Sequence, residues 1–420
     1  MFVFPKSFFW GAGISAYQAE GDNLNSDWWE WEKRVGLRET SGQASRHYEL
    51  YKDDFDLAQL LNHNCHRLSI EWSRIEPEEG KFLNQEIEHY IDVITSLRQR
   101  NLEPIVTLHH FTNPLWFARV GGWLNKKAGD YFLRYAERIV ESLCDKVKYW
   151  VTINEPMVYV YHAYILGTWP PQQESFLKAK FVTDNLIISH IKAYKLIHRI
   201  YERRKLPPPF ISIAKNLQAF VPCLATPRNK FAAYLRDRSF NFAFLKRLIR
   251  AKSLDFIGIN YYTRSLVDVE NWGFRNLLLD TCRKGHSSLK KNSLGWDIYP
   301  EGLYNLLLRL KKYNLPMFIL ENGICTEDDN NRWNFISEHL KSIHLAMAQG
   351  IRVLGYIYWS LIDNFEWDKG FGSRFGLVEV DYDTYKRTVR ESARKFAEVC
   401  KTGILTNPTA YLPAGRQGWE

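Results

Sequence analysis

Two glutamates, each closing an apolar run, carry the first chemical signal in this chain. Glu155 ends "KVKYWVTINEP" (146–156), and Glu321 falls in "PMFILENG" (316–323). A single acidic residue there can simply stop a strand. Two carboxylates brought together can do more. One protonates a departing oxygen while the other attacks or stabilises an oxocarbenium-like carbon, which is what cleavage of a glycosidic bond requires. Paired carboxylates also bind metals, but the nearby His residues make no recognised ligand spacing, and no metal is expected.

For Glu155 and Glu321 to meet, distant strands must end on one surface. Eight short β-rich runs recur, at 8–15, 65–72, 103–110, 148–155, 210–216, 255–262, 316–323 and 353–360. Several are apolar almost throughout, as strands covered on both faces should be. Segments with helical spacing lie between them, for example 85–101, 299–314 and 331–350. This alternation predicts an α/β fold, a single (β/α)8 TIM barrel spanning 1–405, with its active site at the C-terminal strand ends. The remainder, 406–420, has Gly and Pro but no helical period and is expected to be a flexible tail. "GAG" (11–13) lacks the third Gly of a dinucleotide-binding loop, because Ala16 stands there, and no cofactor is expected.

A chain of 420 residues, 45% hydrophobic and 25% charged, can fill one large barrel core. Aromatic residues make up 15%, including 15 Trp and 23 Tyr, more than core filling alone explains, and flat ring faces suit sugars. The net charge of +9 is spread among 47 acidic residues, and clusters such as 201–205 and 245–252 read as solvated helix faces, so no nucleic-acid partner is expected. Six scattered cysteines form no C-x-x-C pair and indicate neither a zinc site nor a dense disulfide framework. Without a signal-peptide pattern or a membrane-spanning run, the expectation is a cytoplasmic protein with no membrane partner. Oligomeric state is left open.

Seven motifs, "AYQAEG" (16–21), "TLHHFTNP" (107–114), "TINEP" (152–156), "GINYYT" (258–263), "ILENG" (319–323), "WSLIDNFEW" (359–367) and "SRFGLVEVD" (373–381), together resemble those of glycoside hydrolase family 1, in order. The resemblance covers about residues 4–400. It implies a retaining β-glycosidase, most simply a β-glucosidase with possible β-galactosidase or β-fucosidase activity, acting on small β-glycosides or short β-linked oligosaccharides. It assigns Glu155 as acid/base and Glu321 as nucleophile, with Tyr262 and Arg67 supporting Glu321. Asn154 would hold the sugar 2-hydroxyl. Gln18, His110, Glu366 and Trp367 would bond other hydroxyls, the sugar's apolar face would rest on Trp359, and Phe375 would close the far wall. An ionised Glu366 would repel a 6-phosphate.

This chain departs from the family pattern at Phe111, where many members have Trp, at Leu320 in place of Thr, and between 262 and 296, which matches poorly. His109 and Glu20 are better read as structural, and Glu71 is ambiguous between a site residue and a carboxylate paired with an arginine in a barrel-filling network. A transglycosylase of the same family and a catalytically silent sugar- or protein-binding barrel are the alternatives.

Overall fold

The runs of Val, Ile, Phe and Tyr do form strands, and each is short because its partners on both sides are equally short. The structure is a computed structural model and describes residues 1–282 and 287–406. Eight parallel strands close a barrel: β1 (Phe9–Gly13), β2 (Cys65–Ser69), β3 (Glu103–His109), β4 (Tyr149–Asn154), β5 (Phe210–Asn216), β6 (Ile257–Asn260), β7 (Met317–Asn322) and β8 (Val353–Trp359). Closure comes from β8 against β1, where Tyr356 pairs with Trp10. All eight strands expected from the sequence are present. Residues 407–420 of the expected tail lie outside the described residues.

Side-chain alternation builds the core in two layers. Ile105, Val151, Ala214, Phe318, Leu320 and Ile357 meet inside the barrel, while the larger cluster lies between strands and helices. Leu320, a departure from the family pattern, is thus a barrel-filling residue. Gly11 is required by close approach: a Cβ there would collide with the Cys65 carbonyl on the neighbouring strand.

The helices end where the sequence can stop them. Helix α1 (Asn84–Gln99) is followed by Asn101 in the left-handed conformation. Helices α2 (Phe176–Arg203) and α3 (Pro227–Arg236) both start on hydroxyl caps, Ser175 accepting from the Lys178 amide and Thr226 from the Asn229 amide. A short helix, α4 (Phe274–Leu279), lies in the poorly matching stretch, beside a small parallel pair formed by Ala219–Pro222 and Arg264–Val267. Helix α5 (Pro300–Leu310) runs into a 3-10 turn ended by left-handed Asn314, and α6 (Asp329–Ala348) starts on the Asp328 cap.

Cysteine pairing differs in part from the sequence expectation. Cys223 and Cys282, 59 residues apart, form a disulfide, whereas Cys65, Cys144, Cys325 and Cys400 are buried free thiols. The amides of Cys223 and Cys282 donate to the carbonyls of Val267 and Leu266 on the small parallel pair, a proximity that linear spacing does not reveal. No helix among the described residues is long and apolar enough to cross a membrane.

Candidate active site

Both carboxylate-bearing strands lose their regular ladder just before the glutamate. Pairing of β4 with β5 shifts register between Val151 and Asn154, and pairing of β7 with β6 shifts between Ile319 and Glu321. Such irregularities re-aim side chains at barrel rims. Glu155 then adopts φ 41° and ψ 55°, and Pro156 opens the following helix. A left-handed conformation is costly for a residue with a Cβ, by about 1–3 kcal/mol, and tends to persist at functional sites. Phe111 at φ 72° and Trp367 at φ 51° share it, and both line the same cavity as Glu155. After Glu321 the chain must pass the β8 end, and a Cβ at Gly323 would strike the Trp359 carbonyl.

Glu155 and Glu321 are both buried, on the wall of a cavity of about 510 Å³ at the C-terminal strand ends. Arg67 joins the two strand ends: Nη1 donates to Glu321 Oε1, and Nη2 donates to Asn154 Oδ1 at 2.7 Å. The Tyr262 hydroxyl donates to Glu321 Oε2 at 2.6 Å. Both oxygens of Glu321 therefore face donors. Glu155 is held differently, because Asn216 and Asn260 donate to its Oε1, at 3.0 and 2.9 Å. Burial, and then the charge of Glu321, pushes Glu155 up to about 7. One carboxyl is thereby poised to carry a proton near neutrality while the other is wrapped as an acceptor, the division of labour that one acid and one nucleophile demand.

The polar end of the cavity gathers the other residues expected from the sequence. Asn154 meets His110 Nε2 at 3.1 Å, and Gln18 donates to Glu366 Oε2 at 3.2 Å. Trp359 lies parallel to the His110 ring at 5.8 Å, Trp367 stacks on Tyr17 at 5.8 Å, and Phe375 packs in one cluster with Trp359. Glu366 stands among other carboxyls in the cavity. Burial, then Glu321 and Asp368, pushes it up to about 8. Phe111 fills its position with a ring 5.2 Å from those of Trp169 and Trp367.

Residues set aside in the sequence have separate duties. His109 bonds Asn113 at 3.1 Å, and burial lowers it to about 4. Glu20 accepts from Arg74 at 2.9 Å and Tyr90 at 2.7 Å. Glu71 corrects its expectation: its carboxylate accepts from the hydroxyls of Ser73 and Thr112, at 2.7 and 2.9 Å, not from an arginine. Sequence reasoning missed Asn216 and Asn260. Each is the last residue of its strand, close to the strand-end positions of Glu155, which follows β4, and Glu321, next to last in β7, but an amide there carries no acid–base chemistry of its own to draw notice.

Comparison with known proteins agrees with this geometry. The model of Glycosyl hydrolase family 1 matches residues 2–250 and 244–404, and the chain belongs to that family. β-Glucosidase A of Thermotoga maritima is 30% identical over 96% of this chain and 98% of its own length. A galactolipid galactosyltransferase of Arabidopsis thaliana is 33% identical over 90% of this chain and 62% of its own. Among solved structures, a β-glycosidase from Pyrococcus horikoshii superposes with a TM-score of 0.90 at 40% identity, covering 97% of this chain and 96% of that one. The protein is an enzyme, a retaining β-glycosidase that works through a covalent glycosyl-enzyme.

Proposed function

We propose that Glu155 is the acid/base and Glu321 the nucleophile of this reaction, and that a neutral β-glucoside is the preferred substrate. The contrasting surroundings of the two carboxyls carry the assignment. Glu321 attacks the anomeric carbon as Glu155 delivers its proton to the leaving oxygen. Glu155, now ionised, then takes a proton from the water that releases the sugar. Glu155 Oε1 is occupied by two amides, which leaves Oε2 to face the leaving group.

Arg67 and Tyr262 orient Glu321 for attack, and Asn154 holds the 2-hydroxyl through an amide that Arg67 and Asn260 already fix, at 2.7 and 3.2 Å. Gln18, His110, Glu366 and Trp367 serve the remaining hydroxyls. His110 lines the cavity beside Asn154, whose side chain meets its Nε2 at 3.1 Å. Trp359 offers the apolar floor and Phe375 the end wall. A phosphate dianion would be buried in a cavity that already holds the Glu155, Glu321 and Glu366 carboxyls, which favours an unphosphorylated sugar.

Azide separates the two roles. Glu321→Ala with azide and an activated aryl β-glucoside should give the α-glucosyl azide, whereas Glu155→Ala should give the β-glucosyl azide. The reverse pattern would exchange the assignments. A second reading, transfer of the sugar to an alcohol in place of water, is favoured by the likeness to a protein named as a galactosyltransferase. Product analysis with an added alcohol decides between them.

A further inference from the structure

Lys215 carries a charged group into the dry wall behind the site. It is next to last in β5, directly before Asn216, and it is fully buried. An ammonium has three N–H donors, and a buried charge is costly unless it is paired. Among the described residues Lys215 Nζ meets one acceptor, the main-chain carbonyl of Asn216, and it lies over the Phe240 ring at 4.4 Å. Phe240 is part of the cavity lining. A carbonyl and an aromatic face offset only part of the cost of a whole charge.

The other charged groups around it have partners of their own. β4 and β6, the strands on either side of β5, hold no charged side chain. The helical turn Asp237–Ala243, which carries Phe240, brings Asp237 and Arg238. Asp237 accepts from Asn241 at 2.8 Å and from Arg309 at 3.0 Å, and Arg238 lies over the Tyr234 ring at 5.4 Å. At the strand ends Arg67 and Tyr262 hold Glu321, and Gln18 bonds Glu366. Glu155, by contrast, has two amides as its side-chain partners among the described residues and no cation bonded to it. Asn216 joins it to Lys215, because the Asn216 side chain donates to Glu155 Oε1 at 3.0 Å while the Asn216 carbonyl accepts from Lys215. The Glu155 carboxylate acts on the ammonium in turn, opposing the burial that lowers Lys215 to about 7.

The reaction moves one negative charge between these surroundings. Before attack the charge rests on Glu321, which Arg67 bonds. As the bond from Glu321 to the anomeric carbon forms and the bond to the leaving oxygen breaks, the Glu155 proton passes to that oxygen, and the charge is then on Glu155. Arg67 holds the carboxylate at the start of this path. Lys215 is joined through Asn216 to the carboxylate at its end.

We propose that Lys215 is a positioning residue whose positive charge favours the ionised form of Glu155, so that it makes Glu155 a stronger acid in the first step and a weaker base in the second. The inference rests on Glu155 being the acid/base. The test follows kcat/KM against pH, across the alkaline limb, for the phenyl β-glycoside of the preferred sugar in the native enzyme, Lys215→Met, Lys215→Arg and Glu155→Gln. The enzyme trapped with a 2-deoxy-2-fluoroglycosyl group supplies the second step, because its reactivation by water needs Glu155 ionised.

Lys215→Met keeps an apolar stem against Phe240 and removes the charge. Its alkaline limb should move up by about half a pH unit to one unit, and the acid limb of reactivation should move in the same direction. Lys215→Arg, which keeps the charge, should leave both limbs near their native positions. Rates that fall equally at every pH in Lys215→Met with unmoved limbs, or limbs that move alike in Lys215→Met and Lys215→Arg, would overturn the inference. An alkaline limb that persists in Glu155→Gln would overturn the assignment of Glu155, and the inference with it, whereas its loss there beside an unmoved limb in Lys215→Met would overturn the inference alone. If Lys215→Met does not fold, the native enzyme decides. The NMR resonance of the Lys215 ε-carbon, identified by its absence in Lys215→Arg, should titrate at higher pH after trapping than before, and an unchanged titration would overturn the inference.

Discussion

Glu155 owes its character to four neighbours, Glu321, Asn216, Asn260 and Arg67, and to dryness. Burial raises its proton affinity most, Glu321 raises it further, and the amides of Asn216 and Asn260 pull it back. The resulting value of about 7 fixes a sign. The acid form exists below that pH and is lost above it, so kcat/KM for a substrate with a poor leaving group should fall about tenfold per pH unit on the alkaline side. A pH profile flat from 6 to 9 would contradict the assignment. Removing the Asn216 donor, as in Asn216→Ala, takes away a bond that favours the carboxylate, and the alkaline limb should then move to higher pH. Glu155→Gln should lower kcat/KM for an alkyl glucoside by about 10²- to 10⁴-fold. The loss should be much smaller for a dinitrophenyl glucoside, whose leaving group needs no proton.

At the scale of elements, the site depends on where ladders break. The two register shifts on β4 and β7, together with left-handed Glu155, turn ordinary buried strands into mounts for carboxyls aimed at the barrel mouth. Gly323 belongs to the same device, since the chain must slip past Trp359 just after Glu321. Gly323→Ala should therefore cost about 1–3 kcal/mol of stability, a typical penalty for overpacking, measured as a lowered denaturant midpoint, and should also depress activity. An unchanged midpoint would show that the backbone yields there.

These elements were unevenly legible. Strand positions could be read because continuous apolar runs bounded by polar residues have few other uses. The disulfide between Cys223 and Cys282, the donors Asn216 and Asn260, and the raised proton affinity of Glu366 were not legible. Each depends on distances between chain-remote groups or on how dry their surroundings are.

The whole molecule supplies what no local segment can. Barrel closure brings residues 18, 155, 262, 321 and 366 to one cavity, with Arg67 bonded to Glu321, and the parallel strand order makes their common position at the C-terminal ends a geometric necessity. That is why a sequence reading that counted eight strands could also place a site. The retaining mechanism, with Glu321 as the point of attachment, is the central claim, and covalent trapping tests it most directly. Incubation with 2-deoxy-2-fluoro-β-glucosyl fluoride, followed by intact-protein and peptide mass spectrometry, should show one fluoroglucosyl group per chain, attached to Glu321, with loss of activity in proportion. Inactivation with the label on any other residue, or full turnover of the reagent with no adduct at any time, would contradict it.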